Sequence, residues 1–142
     1  MNPSEKTLMP FQFSPELDTK YLNEIFEGDP ENAAYIFRLF LNELPATKTG
    51  IAQAFDENDK TGLYELIHKT KTSFSFAGLS HITAQMEELE RKCLASVHTR
   101  ELEQDIVQLL QAIDTSAPLV EKEYSRLTLY LNTIVENKVY HS

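Results

Sequence analysis

Residues 63–78, LYELIHKTKTSFSFAG, decide how this 142-residue chain reads. On a helix each residue turns by about 100°. With Leu63 at zero, Leu66, Ile67, Thr70, Phe74 and Ala77 fall within about 60° of it, which makes one apolar stripe. His68 lies about 140° away, with Tyr64, Lys71 and Ser75 beside it at about 80–120°. The stripe predicts a core face. The other side carries an imidazole, an ammonium one turn on and a hydroxyl two turns on. A core histidine would sit on the stripe, so this one is expected in solvent. Glu65 falls near 200°, and no Asp or Glu of this helix is expected beside the imidazole.

The rest of the chain extends the same period outward. Asp59 is placed to cap the helix over residues 60–77, and Gly78 to end it. Upstream, Asp18 caps a short helix over residues 19–26 with Leu22, Ile25 and Phe26 inward. Glu27, Gly28, Asp29 and Pro30 then read as helix end, left-handed turn, N-cap and first helical residue. From Pro30 the apolar positions Ala33, Ile36, Phe37, Phe40, Leu41, Leu44, Ile51 and Phe55 keep helical spacing past Pro45. That pattern predicts one kinked helix ending near Asn58. Downstream, Ser80 is read as the cap of a helix over residues 81–95, with Ile82, Met86, Leu89 and Cys93 on its stripe. Thr99 is read as the cap of a last helical region, in which Leu102, Ile106, Leu109, Leu110 and Ile113 face inward. Leu119, Tyr124, Leu127, Leu131 and Ile134 follow, and Pro118 is expected to bend or break the run.

The fold class is therefore all-α. Short connections predict an antiparallel, up-down-up-down four-helix bundle with a short extra N-terminal helix. The expected organisation is a flexible arm over residues 1–13, one domain over 14–135 and a fraying tail over 136–142. Phe11 and Phe13 are the arm residues expected to tuck onto the body. Four glycines and no disulfide-capable cysteine pair argue against a turn-rich β fold or a disulfide scaffold.

The net charge of −9 disfavours nucleic acid, which needs a basic face. Three lysines (Lys60, Lys69, Lys71) against Glu65 give residues 60–77 a net +2, so the remainder carries −11. No run of about 18 apolar residues predicts a membrane span, and the N-terminus does not read as a signal peptide. With the single Cys93 these readings give a cytoplasmic expectation. No pair among His81, His98, His141 and Cys93 has metal-ligand spacing, so no metal site is expected. His81 and His98 read as surface residues and Cys93 as core. The run Glu87, Glu88, Glu90, Arg91 and Lys92 reads as a solvated face. Leu129, Tyr130, Leu131, Ile134, Val135 and Val139 exceed what a four-helix core needs and read as an extension of the last helix with a sticky end for self-association.

An exposed imidazole titrates near neutral pH and offers a free nitrogen as a nucleophile. Lys71 shares its patch and can hold a phosphoryl group by charge, Ser75 can donate to it, and Tyr64 shapes the patch. With no carboxylate expected beside it, the set suits accepting and returning a phosphoryl group better than hydrolysis. A histidine with a lysine at i+3 also arises by chance on a solvated face, and the pair alone decides nothing.

The wider pattern resembles the histidine-containing phosphotransfer (HPt) domain family. It is carried by His68, Lys71 and Gly78, by Asp59, and by Leu17, Asp18, Tyr21, Leu22 and residues 25–29. Residues 40–45 (FLNELP) and 86–90 (MEELE) add to it, so that it spans residues 14–127. The resemblance implies that His68 accepts a phosphoryl group from a receiver-domain aspartyl-phosphate and passes it on in a two-component phosphorelay. It implies that Lys71 steadies the phosphate and that Gly78 ends the helix, and it makes the chain a phosphoprotein without catalytic activity of its own. The implied partners are response-regulator receiver domains, that of a hybrid histidine kinase among them. No cofactor is implied on this chain, because the Mg²⁺ belongs to the receiver. The family's usual glycine after the lysine is Thr72 here, which adds bulk where a receiver docks and narrows its choice of partner. The alternative is a degenerate, non-phosphorylated helical bundle that acts as a protein-binding scaffold. Such a module needs no exposed His68.

Overall fold

The computed structural model describes residues 9–141, with side chains to Glu136. Residues 1–8 of the expected arm, Ser142, and the Val139 and His141 side chains lie outside the described residues. Among the described residues five α-helices and one 3-10 turn follow in order: α1 (Thr19–Ile25), α2 (Pro30–Asp56), α3 (Lys60–Phe76), α4 (Ser80–Ala95), the turn Thr99–Leu102, and α5 (Glu103–His141). No strand occurs among the described residues.

The helix starts follow from short acidic side chains that accept the first free amides. Asp18, Asp29 and Asp59 cap α1, α2 and α3 through the amides of Tyr21, Asn32 and Gly62. The end of α3 is a Schellman turn. Gly78 takes φ +82°, its N–H donates to Ser75 O, and Leu79 N–H donates to Phe74 O. Gly78 also leaves no room for a side chain: a Cβ there would meet Leu22 Cδ1 at 2.8 Å and Leu17 Cβ at 2.9 Å.

Two expected caps are corrected. Ser80 is the first residue of α4 rather than its cap. Leu79 holds the cap position without a side-chain bond, and the Ser80 hydroxyl donates to Asp18 Oδ2 at 2.6 Å. Thr99 does not cap the last helix either. Its hydroxyl donates to Phe55 O and its amide to Asn58 Oδ1, while His98 and Glu101 form the capping box of the 3-10 turn. The buried threonine ties the end of α2 to the start of the last helical region.

Pro45 lies inside one helix, as expected. Pro118 does not break α5, which runs through it and on through residues 136–141. The core holds Leu22, Phe37, Ile51, Leu63, Ile67, Phe74, Ile82, Met86, Leu109, Ile113 and Leu127, each nearly or fully sealed. Burying each such side chain contributes about 1.5–3 kcal/mol against chain entropy. α2 packs on α3 and α5, α4 on α3 and α5, and α1 on α3. Phe40 of α2 meets Phe74 of α3 edge to face at 5.0 Å. The Lys60 ammonium, at the start of α3, reaches Ser96 O just past α4 at 2.8 Å. Lys48 of α2 pairs with Asp114 of α5. No helix among the described residues is long and apolar enough to cross a membrane.

Candidate functional site

The α3 stripe buries Leu63, Ile67, Phe74 and Ala77, which turns His68 outward. The imidazole side chain is 61% exposed. Tyr64, one turn earlier, lies parallel to it with ring centroids 5.8 Å apart and planes 8° apart. The stack covers one face of the imidazole and holds its rotamer.

A carboxylate does stand beside His68, contrary to the reading of α3 alone. It is Glu90 of α4. His68 Nδ1 lies 3.1 Å from Glu90 Oε2, and Lys71 Nζ lies 2.9 Å from Glu90 Oε1. The ammonium reaches Oε1 off hydrogen-bond alignment, so that contact is an ion pair. Glu90 is buried, which corrects its placement in a solvated charge run. The signal for it was on α4's own wheel. Glu90 lies only about 40° from Met86, on the rim of the Ile82–Met86–Leu89–Cys93 stripe. A carboxylate there must turn toward a neighbouring helix.

Burial pushes the Glu90 carboxyl up, but Lys71 and His68 more than offset it, and its net pKa lies below the ordinary carboxylate value. The Lys71 ammonium is raised, chiefly by its contact with Glu90. An ionised carboxylate only accepts hydrogen bonds, so the ring nitrogen facing it carries the hydrogen. A neutral His68 with Nδ1–H keeps its lone pair on Nε2, the nitrogen left for chemistry.

Ser75 sits two turns along, but its proton is already committed. Thr83 Oγ1 donates to Lys71 O at 3.0 Å, so Ser75 Oγ donates to Thr83 Oγ1 at 2.7 Å. This hydroxyl pair sets the α3–α4 spacing beneath the Lys71 turn. Thr72 is exposed on the His68 side of α3. Gly78 sits in the corner that follows, away from the imidazole. The structure thus brings together His68, Tyr64, Lys71 and, unforeseen, Glu90. No cluster of three or more His, Cys, Asp or Glu that could hold a metal occurs among the described residues. Burial pushes the Cys93 thiol up, which keeps it inert in the core.

Neither the curated proteins nor the solved structures yield a match to this chain. Residues 36–127 match the family model described as the Hpt domain. That span holds most of α2, all of α3 and α4, and α5 as far as Leu127, and thus every residue of the His68 cluster. Hpt domains are histidine phosphotransfer intermediates of phosphorelays rather than classical enzymes, and they work with response-regulator receiver domains. The all-helical fold and the long match agree, and the chain belongs to the Hpt-domain family.

Proposed function

We propose that His68 is the phospho-acceptor of this Hpt domain, taking a phosphoryl group from a receiver's aspartyl-phosphate and returning it to another. The single observation that carries the reading is the exposed imidazole whose Nδ1 is held by Glu90, which leaves Nε2 free. In the forward step Nε2 attacks phosphorus. A P–N bond forms as the acyl P–O bond breaks, and the receiver's aspartate leaves as a carboxylate. The ring gains positive charge as it bonds to phosphorus, and the Glu90 carboxylate stabilises Nδ1–H through that change. Lys71 waits on Glu90 and is within reach of an incoming phosphoryl oxygen. Tyr64 keeps the ring plane fixed. Thr72 stands on the docking face, and its bulk narrows the choice of receiver. No cofactor is called for on this chain, since the Mg²⁺ resides in the receiver's acidic pocket.

The framework we propose for this site is an antiparallel up-down bundle of α2–α5 with α1 across one end. It is supported by Lys60 meeting Ser96, by Thr99 meeting the end of α2, and by Lys48 meeting Asp114. The test is phosphotransfer from a panel of phosphorylated receivers with Mg²⁺. Wild type gains an acid-labile, base-stable phosphate. His68→Gln gains none, and Lys71→Ala gains it more slowly with its helix content unchanged. Wild-type protein that takes no label from any receiver of its own genome overturns the reading in favour of the scaffold alternative.

A further inference from the structure

Residues 9–29 lie outside the residues matched to the family, yet they are tied to the end of the bundle that holds the Gly78 corner. Residues 9–14 run along α5, where three side chains on one face read their backbone. Glu123 Oε2 accepts from Ser14 N–H at 2.6 Å, Arg126 Nη2 donates to Gln12 O at 3.1 Å, and Tyr130 donates to Met9 O at 2.9 Å. Arg126 also pairs with Glu123 and lies over the Phe11 ring, with Cζ 4.9 Å from its centroid. The Glu123 side chain is only 1% exposed. A buried carboxylate that accepts one particular amide specifies one register for the segment. Phe13 then reaches both Phe26 and Phe37, at 6.3 Å each.

α1 follows directly and has only seven residues, too few to be stable alone. Its position therefore depends on tertiary contacts, those of the buried Leu22 and those at its two ends. At the start, Asp18 N–H donates to Gly78 O at 2.8 Å and the Asp18 carboxylate accepts from Ser80. At the finish, Phe26 packs on Phe13 of the arm. Between them Tyr21 stacks on Phe76 of α3, with centroids 6.5 Å apart and planes 8° apart. Phe76 lies about 80° round and about 12 Å along α3 from His68, with Thr72 between them. Tyr21 and Phe76 thus form an aromatic rim on the face that displays the imidazole.

We propose that Arg126 is a positioning residue for partner docking: with Glu123 and Tyr130 it clasps residues 9–14 as a strap that fixes α1, and α1 sets the Tyr21–Phe76 rim against which a receiver docks. The docking half of this inference rests on the phosphotransfer reading above, and the strap half does not. Release of the strap leaves the His68–Glu90–Lys71 cluster intact, because that cluster lies wholly on α3 and α4. It loosens the rim and so weakens docking without slowing the chemistry.

The test uses the full chain with Arg126→Ala, the conservative Arg126→Lys, and Tyr130→Phe, which loses only the bond to Met9. In Arg126→Ala, amide exchange across residues 19–26 rises about tenfold or more while exchange in α3 is unchanged, as expected for loss of the Phe11 cation–π contact, the Gln12 hydrogen bond and the Glu123 ion pair together. The receiver concentration for half-maximal transfer rises by a similar factor, about tenfold, at an unchanged saturating rate. Arg126→Lys restores most of both, and Tyr130→Phe moves both the same way by less. Unchanged exchange in α1 overturns the strap, and so does a uniform rise across the chain. A loosened α1 with unchanged half-saturation overturns the positioning role. If wild type takes no phosphate from any receiver, the phosphotransfer reading fails, while the exchange result still decides the strap.

Discussion

At the residue scale, the chemistry we propose turns on Glu90, a side chain contributed by a helix other than the one that bears the histidine. His68 was legible because a helical period assigns each residue of one element to a face, and the imidazole fell off the apolar stripe. Glu90 was not legible from α3, because a wheel says nothing about what the neighbouring helix presents. Its own position on the rim of α4's stripe was the available sign. The +2 counted over residues 60–77 was likewise an overcount of free charge, since Lys71 rests on Glu90. Glu90→Gln keeps an acceptor for Nδ1–H but removes the charge that holds Lys71, so phosphate uptake continues at a reduced rate. Glu90→Ala removes both. A hydrogen bond to a charged group contributes about 1.5–3 kcal/mol, so the initial transfer rate falls by about tenfold or more. Imidazole nitrogen NMR reads the same change directly, as a loss of the Nδ1–H tautomer. An unchanged tautomer ratio in Glu90→Ala removes Glu90 from this role.

At the element scale, the helices that could be read in advance are those whose ends are punctuated by short-range chemistry. Asp18, Asp29, Asp59, Gly28 and Gly78 act within a few residues of themselves, and each stands where its type predicts. Ser80 and Thr99 looked the same locally and are used otherwise, because partners about 40–60 residues away compete for their hydroxyls. Pro118 shows the converse. An exposed proline costs a helix one hydrogen bond, but the apolar residues on both sides of it, Ile113 and Val120 among them, are buried in one core. Packing thus carries α5 through a local break signal. The decisive local element is the turn at Gly78. A Gly78→Ala chain must place a Cβ at positive φ and against Leu17 and Leu22 together. Its urea unfolding should show a loss of about 2–4 kcal/mol, the sum of a left-handed penalty and overpacking. A loss under about 0.5 kcal/mol shows the turn to be more yielding than its contacts imply.

At the scale of the whole molecule, the same charge pair that prepares the site also shapes how stability depends on pH. Three carboxyls lie below their ordinary values: Glu90 despite its burial, Asp18 chiefly through the Ser80 hydroxyl, and Glu101 through the His98 and Val97 amides. A group with a depressed folded pKa contributes stability above its unfolded value, and that contribution is lost as pH falls through the folded value. The unfolded values are 4.5 for the two glutamates and 3.8 for Asp18, so the acid flank of the stability curve lies below those. Lys71 has the opposite sign. Its raised folded pKa makes its contribution complete below 10.5 and lost as pH climbs through the folded value. Urea midpoints measured from about pH 2 to 11 should therefore be level near neutrality and fall on both flanks. Asp18→Asn and Glu101→Gln each flatten the acid flank alone. Glu90→Gln flattens both, because one carboxylate is at once the depressed acid and the partner that raises the lysine. If Glu90→Gln keeps the wild-type alkaline flank, the Lys71–Glu90 pair is not held in solution as it is here, and the parked-lysine account of the site falls with it.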